Sequence, residues 1–295
     1  QTDSRYLQAV DEYVPAPGQF VNLLPAYASG DDARSMAAKC TAALANNARG
    51  LVSLGGYGGY LTFHFDHRVT NIHRENDLYI AGNSFASADP QWAALGGASE
   101  PGIVMVSRDD NRNGLPDDQW YELRGSADED SVGRVDYAYA LHYTRTTEGA
   151  ITWSDNRGNQ GVVTNNAYHT QHYFPRWLTA PLRFSGTLLP PNRFLVGAGG
   201  GQWLGFFLRW GYVDNKPNKD RTANSFNIDD AVDAQRRPVR LDGIDFVRAY
   251  TATRQINAPL GESSTEVSGA EDLHPEASLR RFPRASKVRP MRAHH

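Results

Sequence analysis

The clearest periodicity in the chain is the alternation in YLTFHFDHRV, residues 60–69. Leu61, Phe63 and Phe65 fall on one side of an extended strand, and Thr62, His64 and Asp66 on the other. LVSL before it reads as a strand, joined to it by the glycine-rich turn GGYGG. DLYIAGNSF (77–85), GIVMVSR (102–108), QWYELRG (119–125), YAYALHYTR (137–145), RFLVGAG (193–199) and IDFVRAYTAT (244–253) read the same way. The intervals between them hold Gly, Pro, Asn and Asp, and no alternation of strands with helices occurs. One stretch departs from the pattern. From Asp31 or Asp32, DARSMAAKCTAALANN has an acidic start and an alanine-rich helical run that stops at Asn46–Asn47 and Gly50. Cys40 falls inside it as a small buried residue.

These spacings predict an all-β fold, a β-sandwich with one short N-terminal helix. Residues 1–28 read as an extended lead-in with a turn at PAPG. The organisation expected is a lead-in and helix over 1–50, a sandwich over 51–275 and a basic tail over 276–295. Residues 154–178 lack a clear period and read as a long ordered loop. Arg280, Arg281, Arg284, Lys287, Arg289 and Arg292 give the tail its charge, which suits an acidic protein face or anionic headgroups.

Composition narrows the function classes. At 295 residues and a net charge of −3, the chain has length for a large core and no global attraction to nucleic acid. It contains no apolar run of the ~18 residues that suggest a membrane span. A single cysteine excludes an internal disulfide framework. The opening QTDSRYLQAV has no intact signal peptide, as a processed chain would also read.

The strongest local motif is RDDNRNGLPDDQWYELRG, residues 108–125. It offers oxygen ligands in the EF-hand order: Asp109, Asn111, Asn113, the Leu115 carbonyl and Asp117, with Gly114 at the sharp turn. The closing bidentate glutamate is replaced by Trp120, so Asp118, Glu122 or a distant acid would complete the shell. The reading is calcium bracing a hairpin; an Asx-rich turn without an ion is the alternative.

NNAYHTQHYFPRW is the second candidate. Tyr168, Tyr173, Phe174 and Trp177 accompany Asn165, Asn166, His169 and Arg176, a mixture suited to a sugar ring. The competing reading has these aromatics filling one end of the sandwich. His169 and His172 stand three apart, but Pro175 argues against the helix that would join them on a metal. His64 and Asp66 read as a polar strand face. No GxSxG, HExxH or Cys–His pattern is present, whereas paired carboxylates for glycoside hydrolysis could arise only in three dimensions.

GLVSLGGYGGYLTFHFDH, DLYIAGNSF, SEPGIVMVSRDDNRNGLPDDQWYELRGS, RWGYVDNKPN and LDGIDFVRAYTATRQINAPLGESSTEVSGAEDLH together resemble a family of cell-surface proteins of Bacteroidetes, whose members often carry a PKD-like domain. The resemblance spans about Ala37 to His274 and implies export to the outer-membrane surface, a jelly-roll-type sandwich and an association with outer-membrane nutrient uptake. It supplies no catalytic residues. The chain lacks an obvious separate PKD-like domain, and its basic tail departs from the pattern. The resulting expectation is a calcium-braced sandwich that binds a glycan or small-molecule nutrient, or docks on an outer-membrane protein complex, without chemistry. A glycoside hydrolase or lyase, or a structural accessory subunit, are the alternatives.

Overall fold

The computed structural model describes residues 4–199, 201–257 and 259–283. Arg284, Lys287, Arg289 and Arg292 of the expected tail lie outside the described residues. Among the described residues the fold is all-β, with two short α-helices.

Its centre is the strand Tyr60–Thr70. It pairs with Ala9–Val14 on one side and Gly243–Thr251 on the other. Gly102–Ser107, Trp120–Leu123 and Ala231–Val232 follow in order, completing an antiparallel six-stranded sheet. The lead-in therefore supplies an edge strand of the main sheet. Leu61, Phe63 and Phe65 are buried on one face, as their alternation predicts. Thr62, on the opposite face, is also buried, because Arg248 Nε donates to its hydroxyl and that hydroxyl donates to Glu12.

The helix Ala33–Leu44 starts where the sequence places it. Asp32 caps the Ser35 amide while the Ser35 side chain accepts from the Asp32 amide. Met36, Ala37, Cys40 and Leu44 form its buried stripe, which joins Leu61, Phe63 and Val10 in one core. Burial pushes the Cys40 thiol well up, so it is a packing residue. Asn46 and Asn47 take positive φ and end the helical run.

The other face of the six-stranded sheet meets a four-stranded sheet in the order Gln160–Val163, Ile151–Asp155, Asp136–Arg145, Leu182–Leu188. Tyr60 meets Phe184 edge-on at 6.4 Å, and the Thr187 amide donates to the Tyr250 hydroxyl at 3.0 Å. This corrects the expectation of a long ordered loop over 154–178. Its first part is a hairpin, turned at Gly158, where Asp155 accepts the Arg157 and Asn159 amides. The strand Gln160–Val163 alternates only weakly because it is a half-exposed sheet edge.

Smaller sheets complete the fold. One orders Arg193–Val196, Gln202–Phe206, Gly96–Ala98 and Phe85–Ala86; another joins Ser225–Phe226, Leu78–Ala81 and Gly269–Asp272. Two-stranded pairs link Val52–Ser53 with Glu266–Val267, and Ile256–Asn257 with Gly261–Glu262.

The expectation of a single helix is also corrected. Pro275–Arg281, which starts at the boundary and runs into the stretch read as tail, is helical. Its Ser278 hydroxyl accepts the Thr70 amide at 3.0 Å, docking it at the end of the central strand.

Beside this helix lies a buried ionic contact. His67 is enclosed, with Nδ1 2.7 Å from Asp66 and Nε2 2.7 Å from Asp272. With a carboxylate at each nitrogen, both positions are N–H donors and the ring is an imidazolium. Burial by itself would lower its pKa, but the hydrogen bonds to Asp272 and Asp66 outweigh that and raise it. A raised folded pKa means the ring's contribution is complete below its unfolded value of ~6.5 and is lost as pH climbs through the folded value. His67→Gln should cost roughly 3–5 kcal/mol at pH ~6 by removing the cation that faces the buried Asp272 carboxylate. It should also remove the part of the wild-type Tm decline above pH ~6.5 that comes from this ring. Identical Tm–pH curves for the two proteins would refute the assignment.

Candidate functional site

The GGYGG turn enters the central strand, and the segment after Thr251 leaves its neighbour, so antiparallel pairing brings both to one end of the sheet. Gly58 N–H donates to the Thr251 carbonyl at 2.9 Å, and Thr251 N–H to the Gly59 carbonyl at 3.1 Å. The turn needs its glycines for space as well as conformation. Gly58 has φ +85°, and a Cβ there would sit 2.2 Å from Phe184 Cβ. The result is a tyrosine, Tyr57, driven between the sheets with its ring edge-on to Tyr139 at 4.9 Å.

Above it lies a cavity of about 430 Å³. Tyr143, Trp153 and Val162 of the four-stranded sheet form one wall, and Ile256, Pro259, Gly261 and Glu262 form another. Three lining hydroxyls are buried without a hydrogen-bond partner among the described residues: Tyr57 Oη, Thr253 Oγ1 and Ser263 Oγ. Leaving such a group unpaired costs ~1–3 kcal/mol; all three oxygens are closed off from the cavity space, so a bound molecule reaches them once these side chains turn toward it. Glu262 adds a carboxyl to the lining. Its Oε1 accepts the Gln19 amide at 2.7 Å, while burial, reinforced by nearby Glu100, raises its pKa to about 7. Arg254 lies 4.3 Å over the Trp153 ring. Such a site offers hydroxyls, one carboxyl that changes charge near neutrality, and aromatic surface.

The eight residues singled out as a ligand platform are dispersed. Asn165 and Asn166 line the cavity. Asn166 Nδ2 holds the Leu260 carbonyl and Gln19, which fixes the hairpin over the cavity edge. Tyr173 is buried in the core under the cavity, and its hydroxyl donates to the His169 carbonyl. Trp177 packs between Tyr13 and Tyr27. His169 stacks edge-on against Phe20, while Arg176 and Tyr168 are exposed. Core packing thus claims Tyr173, Phe174 and Trp177 of the aromatics that sequence spacing grouped together, and leaves Tyr168 exposed. The cavity hydroxyls escape a sequence reading because Tyr57 and Thr253 meet only through strand pairing.

The 109–117 loop is compact. Asp109 accepts the Asn113 and Gly114 amides, Asn113 Oδ1 accepts the Leu115 amide, and Asp117 accepts both asparagine Nδ2 groups. Gly114 has φ +74°, as the sharp turn requires. Asp118 accepts the Asp110 amide, and Glu122 is instead occupied by Arg236 and Thr187. Of the candidates for the missing ligand, Asp118 is therefore the one in the loop.

A second acidic group, with no local sequence signature, lies behind the cavity. Glu100, Asp214 and Glu266 bring carboxylate oxygens within 4.8 Å of one another, a group among the described residues that could hold a metal ion. Asp214 accepts the Asn83, Ser84 and Glu266 amides; Glu100 accepts the Ser264 amide; Ser53 donates to Glu266. Turned with its amide nitrogen inward, Asn83 also donates to Asp214 and Glu266. Burial raises all three pKa values, Glu100 to about 7, and mutual repulsion raises Asp214 and Glu266 further.

Acids with raised folded pKa values favour the native state at low pH, and that contribution fades as pH rises through the folded values. In EDTA, wild-type Tm should therefore fall between pH ~5 and ~8, and Glu266→Gln should flatten the fall. At pH ~8 the variant should melt higher, by roughly 2–4 °C for each kcal/mol of repulsion relieved. A variant that melts lower at pH ~8 would show that this carboxylate is ionised and stabilising.

Comparison with models of known protein families finds no match, and comparison with curated proteins finds none either, so the functional reading rests on the geometry above.

Proposed function

We propose that the chain is an exported binding protein of the outer-membrane surface. It takes a hydroxyl-rich ligand, a glycan or small-molecule nutrient, into the cavity beneath the 256–262 hairpin and serves an outer-membrane transport complex. The observation that carries this reading is the convergence of the unpartnered Tyr57, Thr253 and Ser263 hydroxyls on one cavity with Trp153 on its wall. Hydroxyls both donate and accept, which matches sugar hydroxyls better than a fixed charge. Glu262 is the one carboxylate among the described lining residues, whereas hydrolysis of a glycosidic bond ordinarily uses two. Binding without chemistry is therefore preferred to the hydrolase alternative. The scaffold is read as a jelly-roll-type sandwich, supported by the stacking of the four-stranded sheet on the six-stranded one. Calcium on Asp109, Asn111, Asn113, the Leu115 carbonyl and Asp117 is proposed to brace the hairpin beside Trp120–Leu123.

Two measurements test these statements. Saturation-transfer NMR with neutral mono- and disaccharides should detect binding, and Tyr57→Phe or Ser263→Ala should weaken it about three- to tenfold with Tm little changed. Contact from no sugar of the panel, or contact insensitive to both substitutions, would remove the cavity reading. For the loop, EDTA should lower Tm and Asp109→Ala should reproduce that loss. Equal melting with and without EDTA would eliminate calcium there.

A further inference from the structure

The entrance to the cavity has a different chemistry from its base. Val162, Tyr168, Ile256 and Leu260 are each more than half exposed. Val162 and Ile256 line the cavity directly. Leu260 and Tyr168 are placed beside it by Asn166, whose Nδ2 donates to the Leu260 carbonyl and whose Oδ1 accepts the Tyr168 amide. Large apolar side chains scattered singly on a surface need no explanation, but several gathered at one cavity mouth mark a contact surface.

The backbone of that rim is largely spoken for. Arg193 donates to the Ile256 carbonyl and Asn166 to the Leu260 carbonyl. Ile256–Asn257 is paired with Gly261–Glu262. A peptide laid across the hairpin would find those two carbonyls already bonded. The rim instead presents side-chain methyl and ring surface, which recognises hydrocarbon. Base and rim together form one amphipathic site, with hydroxyl partners inside and hydrocarbon partners at the mouth.

We infer that the ligand is a single amphiphile, a hydroxylated headgroup bearing an alkyl or acyl chain, with the head in the cavity and the chain across Val162, Ile256 and Leu260. This rests on the cavity reading above and adds the chain to it. A free sugar would leave the rim in water. An amphiphile covers it, and each methylene that loses its water adds up to ~0.8 kcal/mol, a limit of about fourfold in affinity.

The test is a chain-length series by isothermal titration calorimetry on the wild-type chain. Glucose serves as the headgroup alone, followed by methyl, hexyl, octyl and decyl β-glucoside below their micelle-forming concentrations. Affinity should rise about two- to fourfold per methylene while the chain lies on the rim, then level off. Leu260→Ser should reduce the slope with chain length. Tyr57→Phe should lower the affinity of every member by a similar factor and keep the slope. The outcomes separate the two readings. Binding of glucose and of every glucoside with equal affinity would overturn the amphiphile and leave the cavity reading standing. Binding of no member would overturn both for this class of headgroup. Binding to phosphatidylcholine vesicles without affinity for any soluble glucoside would assign the rim to a bilayer and also overturn it.

Discussion

The pairing of Tyr60–Thr70 with Gly243–Thr251 is the constraint on which the rest of the molecule depends. It joins the first quarter of the chain to its last fifth, so forming it closes a long loop and carries that entropic cost. Because the pair is antiparallel, the entry to one strand lies beside the exit from the other. Tyr57 precedes the first and Thr253 follows the second, and Thr251 Oγ1 ties the two through the Gly55 carbonyl. The cavity base is therefore a consequence of sheet register. A slip of one residue would turn Leu61, Phe63 and Phe65 away from the helix-side core and would also separate Tyr57 from Thr253.

The segment 262–266 couples this base to the buried acids. Glu262 and Ser263 belong to the cavity, whereas Ser264 bonds Ser53 and Glu100, and Glu266 completes the acidic group. Adjacent residues on one extended stretch thus serve two polar environments separated by a few bonds. Glu100 contributes to the raised pKa of Glu262, so whatever neutralises the acidic group, proton or cation, also eases ionisation of the cavity carboxyl. Unpartnered hydroxyls and crowded carboxyls both destabilise the unliganded chain. Their concentration at one end of the sheet fits the tendency of binding sites to be kept at a cost in stability.

How much of this was legible in the sequence follows from how local each feature is. The strand over 60–69 and the Asp32-capped helix depend on residues within a few positions of one another, and both occur where the periodicity puts them. The strands Ile151–Asp155 and Gln160–Val163 were hidden inside an apparent loop, since an edge hairpin bearing Asn, Arg and Gln shows no buried face to alternate. The helix Pro275–Arg281 was masked by its charge: its arginines read as a tail, while the docking is carried by Ser278 on the Thr70 amide. Asn165 and Asn166, read from the sequence as part of an aromatic platform, line the cavity instead for a reason sequence could not supply: Asn166 holds the Leu260 carbonyl and Asn165 the Thr170 and Gln171 carbonyls.

The same distinction separates the two candidate sites. The 109–117 loop is written contiguously, with a glycine at its one positive-φ glycine position, so a short read of the chain suffices to notice it. Such a loop can be inserted between two strands without reference to the rest of the fold, which suits a brace. The cavity draws Tyr57, Trp153, Thr253 and Ser263 from separate parts of the chain, and none of them is unusual in its own neighbourhood. Glycines around Tyr57 are the nearest thing to a local trace. They are required because Phe184 and Leu54 leave no room for a side chain beside a turn that must carry a tyrosine inward. A glycine run with an aromatic at its centre, immediately before a strongly alternating strand, is thus a packing signature: backbone pressed against backbone so that one ring can reach the interior.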